Sequence, residues 1–188
     1  MKQLSIIIFI VLLACTDEDP KFIKWHGFSI PTAYVLGEIG GSGLYSIGAE
    51  ERDDIAIELR SNVIDGNYVQ YTLTLASNIS NGEAKTKALN LAKNGGVLKK
   101  HESGLYKLSE NNTSIHWQLV SPTYEGTNLI GVEPVAECSQ LKSSPESCVF
   151  GFVDSDVYYT VSLSGRNISN YREVRELLKA KLSMWAVH

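Results

Sequence analysis

The chain has 188 residues, 44% of them hydrophobic, and its 21 acidic and 17 basic side chains give a formal charge of −4. That hydrophobic share is enough for a folded core and excludes wholesale disorder, and the length suits one domain. The negative charge excludes attraction to nucleic acid or to an anionic membrane through bulk charge.

The N-terminus has the pattern of an export signal. An apolar run from Leu4 to Ala14 follows a single positive charge at Lys2. A helix of that length would be roughly 16 Å long against a hydrocarbon core of roughly 30 Å, so it is too short to span a membrane. Residues 1–14 are therefore predicted to be a signal peptide.

The end of this run, Leu12-Leu13-Ala14-Cys15, resembles the lipobox of bacterial lipoproteins, in which a small residue precedes a cysteine. The resemblance implies cleavage after Ala14, diacylglycerol on the Cys15 thiol, and a membrane as a partner through that lipid anchor. The alternative is an ordinary signal peptide with a chance cysteine. Enteric lipoproteins retained at the inner membrane carry Asp where this chain has Thr16. The cell envelope is therefore the expected location, with the outer membrane facing the periplasm favoured if the organism is Gram-negative.

The predicted mature chain begins with a lipidated N-terminus and a short acidic linker over residues 15–21. Residues 22–188 are predicted to form a single globular domain, because no repeat and no second linker follows. With Lys2 removed, the mature chain has 16 basic and 21 acidic residues, a formal charge of −5. The short linker would hold the domain close to the membrane surface.

Two further cysteines, Cys138 and Cys148, flank a polar loop. Export places them in an oxidising compartment, where paired thiols persist as disulfides. The sequence therefore predicts a disulfide between them. A metal pair and a redox pair are the alternatives, although the spacing is long for a CxxC motif and no histidine lies nearby in the sequence.

Most of the mature chain shows the alternation of apolar and polar residues that is typical of half-buried strands. The clearest cases are 55–60 and 68–75, which Asp65-Gly66-Asn67 should join as a hairpin. Further strands are predicted over 22–30, 44–47, 97–100, 104–108, 115–119, 129–136, 149–153 and 157–163.

Two segments have helical patterns. Helix formers cover 82–93, and Asn94-Gly95-Gly96 supplies a C-terminal cap. The second helix, 171–185, repeats apolar residues at three- and four-residue steps. Asn170 is predicted to cap it, with Glu173 completing a capping box.

Strands that follow one another directly predict an α+β fold with a mainly antiparallel sheet, on which one central and one C-terminal helix pack. The segments 27–31 and 158–165 resemble the PsbP-like sandwich fold, which opens with an aromatic strand ending in proline and closes with a strand and a long helix. Some periplasmic immunity proteins, which block toxins delivered by neighbouring bacteria, are similar in this way. The fold alone does not imply a function.

Motifs for common catalytic and metal sites are missing from the sequence. The four histidines form no HxH or HExxH pattern, and the glycine loop 37–43 lacks the Lys-Ser/Thr of a P-loop. The acidic run 50–54 lacks the spacing of an EF-hand, and no GxSxG elbow exists. We therefore predict no metal and no cofactor, and we interpret Asp154-Ser155-Asp156 as a hairpin turn.

Aromatic side chains give the strongest indication of a binding surface. Tyr68, Tyr158 and Trp25 are predicted to lie on faces opposite the apolar ones, and tyrosine and tryptophan are enriched at binding hot spots. The alternative is that both faces of the sheet are covered by the helices.

These observations favour a non-enzymatic envelope lipoprotein whose domain binds another protein and no nucleic acid. A toxin-neutralising immunity protein is the most specific form of this hypothesis, because an acidic inhibitor can meet a basic effector by charge complementarity. The alternatives are a periplasmic hydrolase that acts on cell-wall material through paired carboxylates and an accessory of outer-membrane assembly.

Overall fold

A computed structural model describes residues 21–36, 54–76, 82–154 and 156–187. The predictions for the signal peptide, for residues 15–20 of the lipidated N-terminus and linker, for the glycine loop 37–43, for the strand 44–47 and for the acidic run 50–54 except Asp54 lie outside these residues. Among the helices that are described, none is long and apolar enough to cross a membrane.

The fold is built on one large antiparallel sheet, as the alternating sequence patterns predict. The elements are β1 Phe22–Trp25, β2 Phe28–Pro31, β3 Asp54–Arg60, β4 Tyr68–Leu75, α1 Gly82–Lys93, β5 Val97–Lys100, β6 Tyr106–Ser109, β7 His116–Glu125, β8 Asn128–Ser139, β9 Ser147–Asp154, β10 Val157–Ser164 and α2 Tyr171–Trp185. The first two strands form a separate hairpin, and the order in the eight-stranded sheet is β3-β4-β10-β9-β8-β7-β6-β5.

The two helices pack on opposite faces of this sheet. Neighbouring residues of a strand point to opposite faces, and on β7 Leu119 belongs to the core cluster that α2 completes. The next residue, Val120, belongs instead to a smaller cluster with Ala88 of α1. The predicted α+β architecture, with a central and a C-terminal helix on a mainly antiparallel sheet, is confirmed.

The first predicted strand, 22–30, is wrong as a single element. The structure divides it into β1 and β2, which pair as a hairpin with Trp25 opposite Phe28. His26 and Gly27 form the turn, with φ angles of 43° and 85°. Glycine adopts this left-handed conformation without steric cost, so the chain reverses at a position that strand propensity does not reveal.

The predicted N-terminal cap of α2 is also wrong. The Asn170 side chain makes no capping hydrogen bond, and its amide donates instead to the backbone oxygen of Val63. A 3₁₀ helix over Gly165–Asn170 runs directly into α2, so the helical hydrogen bonding begins before the residue that was expected to start it.

The predicted disulfide is present. Cys138 on β8 and Cys148 on β9 are direct cross-strand partners, and their sulfurs are 2.04 Å apart. Closing a loop of this size should stabilise the fold by about 3 kcal/mol on the chain-entropy model. In this oxidised form neither sulfur is a free thiolate for a metal.

Candidate functional site

The face of the sheet opposite α2 presents a broad exposed surface on β9, β10, β4 and β3, which we call the open face. Helix α1 lies on the same side but packs on β6 and β8. As a result Tyr68 is 54% exposed, Val149 46% and Val153 40%. The polar side chains that alternate with the core on these strands share this surface: Glu58, Gln70, Thr72, Thr160 and Ser162.

Tyr68 and Tyr158 both lie on the open face, on the side of the sheet where the sequence predicted them. They are not adjacent, because Tyr158 pairs with Thr74, six residues along β4 from Tyr68. At about 3.3 Å per residue, the two positions are roughly 20 Å apart. The open face therefore carries two separate aromatic contact points.

Trp25 does not lie on an exposed face, and its predicted placement is wrong. Its side chain is 0% exposed and lies 6.1 Å from the ring of Phe28, measured between ring centroids. Alternation along β1 points Trp25 inward together with Ile23. In this structure Trp25 belongs to the core and is not presented to a partner.

Tyr158 lies over a glycine of the neighbouring strand. A Cβ atom built on Gly151 would lie 2.4 Å from the Tyr158 hydroxyl and 3.1 Å from its ring carbons. Any larger residue at position 151 would therefore displace the ring. Partial burial, with the nearby charge of Glu137, raises the pKa of Tyr158. Gly151 thus allows the tyrosine to pack down onto the sheet.

A cleft of about 1000 Å³ opens where β8 and β9 separate. Their pairing ends at Ala136 and Phe150, although β9 continues to Asp154. An irregularity in the pairing of β8 with β7, between Pro134 and Ala136, accompanies the separation. The cleft joins the open face to the edge of α2, and its charged lining includes Lys85, Glu133, Glu137, Arg172, Arg175 and Glu176.

Asp154, at the end of β9 beside this cleft, holds two elements together. Its carboxylate accepts a hydrogen bond from the Tyr159 hydroxyl at 2.5 Å and another from Arg175 of α2 at 3.1 Å. Burial raises the pKa of the Asp154 carboxyl, but the hydrogen bonds from Tyr159 and Arg175 outweigh that effect and leave it below its ordinary value. Burial and the bond to Asp154 raise the pKa of Tyr159.

The Asp154 carboxyl does not fit the proton donor of a carboxylate hydrolase. A proton-donating carboxyl in such an enzyme has a raised pKa, whereas that of Asp154 is lowered. Glu133 lies 2.8 Å from the ammonium group of Lys85. Both carboxylates are thus engaged with cations, and their contacts favour a structural role.

A second polar cluster, which the sequence did not reveal, lies beside the disulfide. His101 contacts Ser103 through Nδ1 at 2.9 Å and Glu146 through Nε2 at 3.1 Å. Ligand atoms of Glu146, Cys138 and Cys148 all lie within 4.8 Å of one another. His101 is 45 residues from Glu146 in the chain, so only the folded sheet brings the imidazole to this place.

No family model, no curated protein and no solved structure matches this chain. The resemblances to the lipobox and to the PsbP-like sandwich remain predictions from the sequence.

Proposed function

We propose that this chain is a lipid-anchored envelope lipoprotein whose folded domain binds another protein through the open face. A toxin-neutralising immunity protein is the most specific form of the proposal. The observation that carries it is a single sheet face on which a tyrosine and two valines remain 40–54% exposed. Large exposed apolar and aromatic side chains grouped on one surface are typical of protein contact sites.

The charge of the open face indicates which partner it suits. Asp54 and Glu58 lie on this face with one basic residue, Arg60, and Glu137 of β8 borders it beside Val149, so these four described side chains have a net charge of −2. The mature chain as a whole has a formal charge of −5. Both values favour a partner with a basic contact surface, because complementary charge speeds encounter and selects against acidic proteins.

The test is site-specific photocrosslinking in intact cells. A photoreactive phenylalanine analogue replaces Tyr68 in the full-length protein, and a matched variant carries it at Tyr124, an exposed tyrosine on the β7–β8 hairpin. The two side chains are 54% and 49% exposed. We expect illumination to give one protein adduct of defined mass at Tyr68 and no such adduct at Tyr124.

The proposal would be contradicted if the Tyr68 variant folds and still gives no protein adduct in cells that are exposed to the partner protein. Equal adducts from both positions would contradict it as well, because they would indicate random collision. A lipid adduct at Tyr68 would place the open face against the membrane and would also count against it.

A further inference from the structure

The surroundings of the disulfide hold four side chains of the types that bind Zn²⁺. They are Cys138, Cys148, Glu146 and His101, which come from β8, from β9 and its preceding loop, and from the turn after β5. Thiolate, imidazole and carboxylate are the protein ligands of zinc, and four of them complete a tetrahedral structural site. This neighbourhood therefore contains a full ligand set once the two sulfurs are separated.

Three of the four candidate ligands, Cys138, Cys148 and Glu146, are already grouped in the oxidised protein, and His101 is next to that group through its contact with Glu146. The carboxylate of Glu146 lies within 4.8 Å of both sulfurs, and Nε2 of His101 lies 3.1 Å from it. In a tetrahedral zinc site with bonds of 2.0–2.3 Å, ligand atoms are roughly 3.3–3.8 Å apart. His101 is outside the group of ligand atoms that lie within 4.8 Å of one another, so the site requires separation of the two sulfurs and movement of the His101 ring toward them.

The burial of His101 and Glu146 beside the disulfide supports a role beyond the contact between these two side chains. The side chains of His101 and Glu146 are only 10% and 19% exposed, and the two cysteines are 4% and 0% exposed. A polar pair withdrawn from water gains little net stability, because desolvation offsets the attraction. Ser103 also contacts the other ring nitrogen of His101, and metal-binding histidines are usually oriented by such a second partner.

We propose that reduction of the Cys138–Cys148 disulfide converts this cluster into a Zn²⁺ site with Cys138, Cys148, Glu146 and His101 as ligands. A dithiol reductant gives two electrons and two protons to the disulfide, which becomes two thiols, and the dithiol is oxidised to its own disulfide. Zn²⁺ then displaces the two thiol protons to solvent and binds both thiolates.

The proton on His101 changes position in the same step. In the oxidised protein the Ser103 backbone N–H donates to Nδ1 at 3.2 Å, so Nε2 carries the proton and donates to Glu146. Binding of Zn²⁺ at Nε2 requires that this proton move to Nδ1, from which it donates to the Ser103 hydroxyl. The disulfide and the bound Zn²⁺ therefore exclude each other, because both use the two cysteine sulfurs. When the disulfide is reduced, Zn²⁺ holds β8 and β9 together.

The experiment uses the full-length chain in detergent, reduced with a phosphine that does not bind zinc. Co²⁺ is added first for its thiolate and tetrahedral absorption bands, and Zn²⁺ then displaces it in competition with a chromophoric chelator. We expect one ion per reduced chain and none per oxidised chain. His101→Gln and Glu146→Gln should each weaken Zn²⁺ binding at least roughly tenfold, whereas Glu102→Gln, at an exposed position in the same turn, should not.

Three results would overturn the proposal. The first is a reduced protein that remains folded by near-ultraviolet circular dichroism and binds no Zn²⁺. The second is equal affinity in the wild type, His101→Gln and Glu146→Gln, which would indicate chelation by two thiols alone. The third is a reduced protein that unfolds and does not refold when Zn²⁺ is added.

Discussion

At the scale of single residues, Asp154 links the end of β9 to helix α2. Its carboxylate is 14% exposed and faces Arg175, while the Tyr159 hydroxyl donates to it from β10. Hydrogen bonds to a charged group are stronger than those between neutral groups. The three side chains therefore fix the position of α2 at the edge of the cleft between β8 and β9.

Replacing Tyr159 with Phe tests this linkage. The ring is 0% exposed, so the substitution removes one hydrogen bond from Asp154 and leaves the packing in place. We expect the free energy of unfolding at pH 7 to fall by about 1.5–3 kcal/mol, as for other hydrogen bonds to charged groups. Urea denaturation followed by circular dichroism measures this difference. Tyr158→Phe on the open face is the control, with an expected change within about 0.5 kcal/mol.

The same variant should also change the dependence of stability on pH. Because the folded pKa of Asp154 lies below the ordinary value of 3.8, its contribution is complete above that value and is lost as the pH falls through the folded pKa. Tyr159→Phe removes one of the causes of the shift, so stability should fall less steeply below about pH 4 than in the wild type. If stability depends on pH in the same way in the two proteins, the Tyr159 hydroxyl does not lower the pKa of Asp154.

Sequence alone predicted some of these residues and not others, for a physical reason. Tyr68 on β4 and Tyr158 on β10 could be assigned to the face opposite the core from the sequence, because successive residues of a strand point to opposite faces. Contacts between distant segments have no such local signal. Asp154 and Arg175 are 21 residues apart, and His101 and Glu146 are 45 apart. Neither contact could be predicted from the sequence, because only the folded chain brings the two residues together.

At the scale of elements, helix α2 shows how an amphipathic pattern determines packing. Its buried residues are Tyr171, Val174, Leu178, Leu182 and Trp185, the same positions that repeat at three- and four-residue steps in the sequence. The β1–β2 hairpin packs at the C-terminal end of α2, where Phe28 forms an isolated β-bridge with Ala186. The helix pattern was local and was predicted, whereas the hairpin depended on the turn conformation of His26 and Gly27.

Two alanine variants of α2 separate packing from helix propensity. Leu178 is 0% exposed and Met184 is 73% exposed. Leu178→Ala should lower the free energy of unfolding by about 2–5 kcal/mol, since it leaves a cavity in the core. Met184→Ala should change it by less than about 0.5 kcal/mol. Alanine is the strongest helix former, so a loss at position 178 alone measures packing and not helix formation. Similar midpoints in urea for both variants would contradict this assignment of the buried face.

At the scale of the whole molecule, local sequence patterns could not predict the order of the strands in the sheet. The sheet places β10 between β4 and β9, so the last strand inserts beside one more than 80 residues earlier in the chain. The sequence predicted β3 to β10, both helices and the hairpin of β3 with β4, but the pairing of β4 with β10 depends on long-range burial. The same insertion makes β4 and β10 adjacent, and it therefore assembles the open face.

The predicted lipid anchor concerns the whole molecule as well. Five residues lie between Cys15 and Lys21, where the described structure begins, so the predicted lipid should lie within roughly 20 Å of Lys21 for an extended chain. Cys15→Ser should move the protein from the detergent-rich to the aqueous phase in a Triton X-114 partition, because the variant lacks the thiol that the proposed acyl chains require. Thr16→Ser, at the neighbouring position, should remain in the detergent phase. The melting temperature of the domain should not change in either variant, because position 15 precedes the first strand. A Cys15→Ser protein that still partitions into detergent would show that the membrane association has another source.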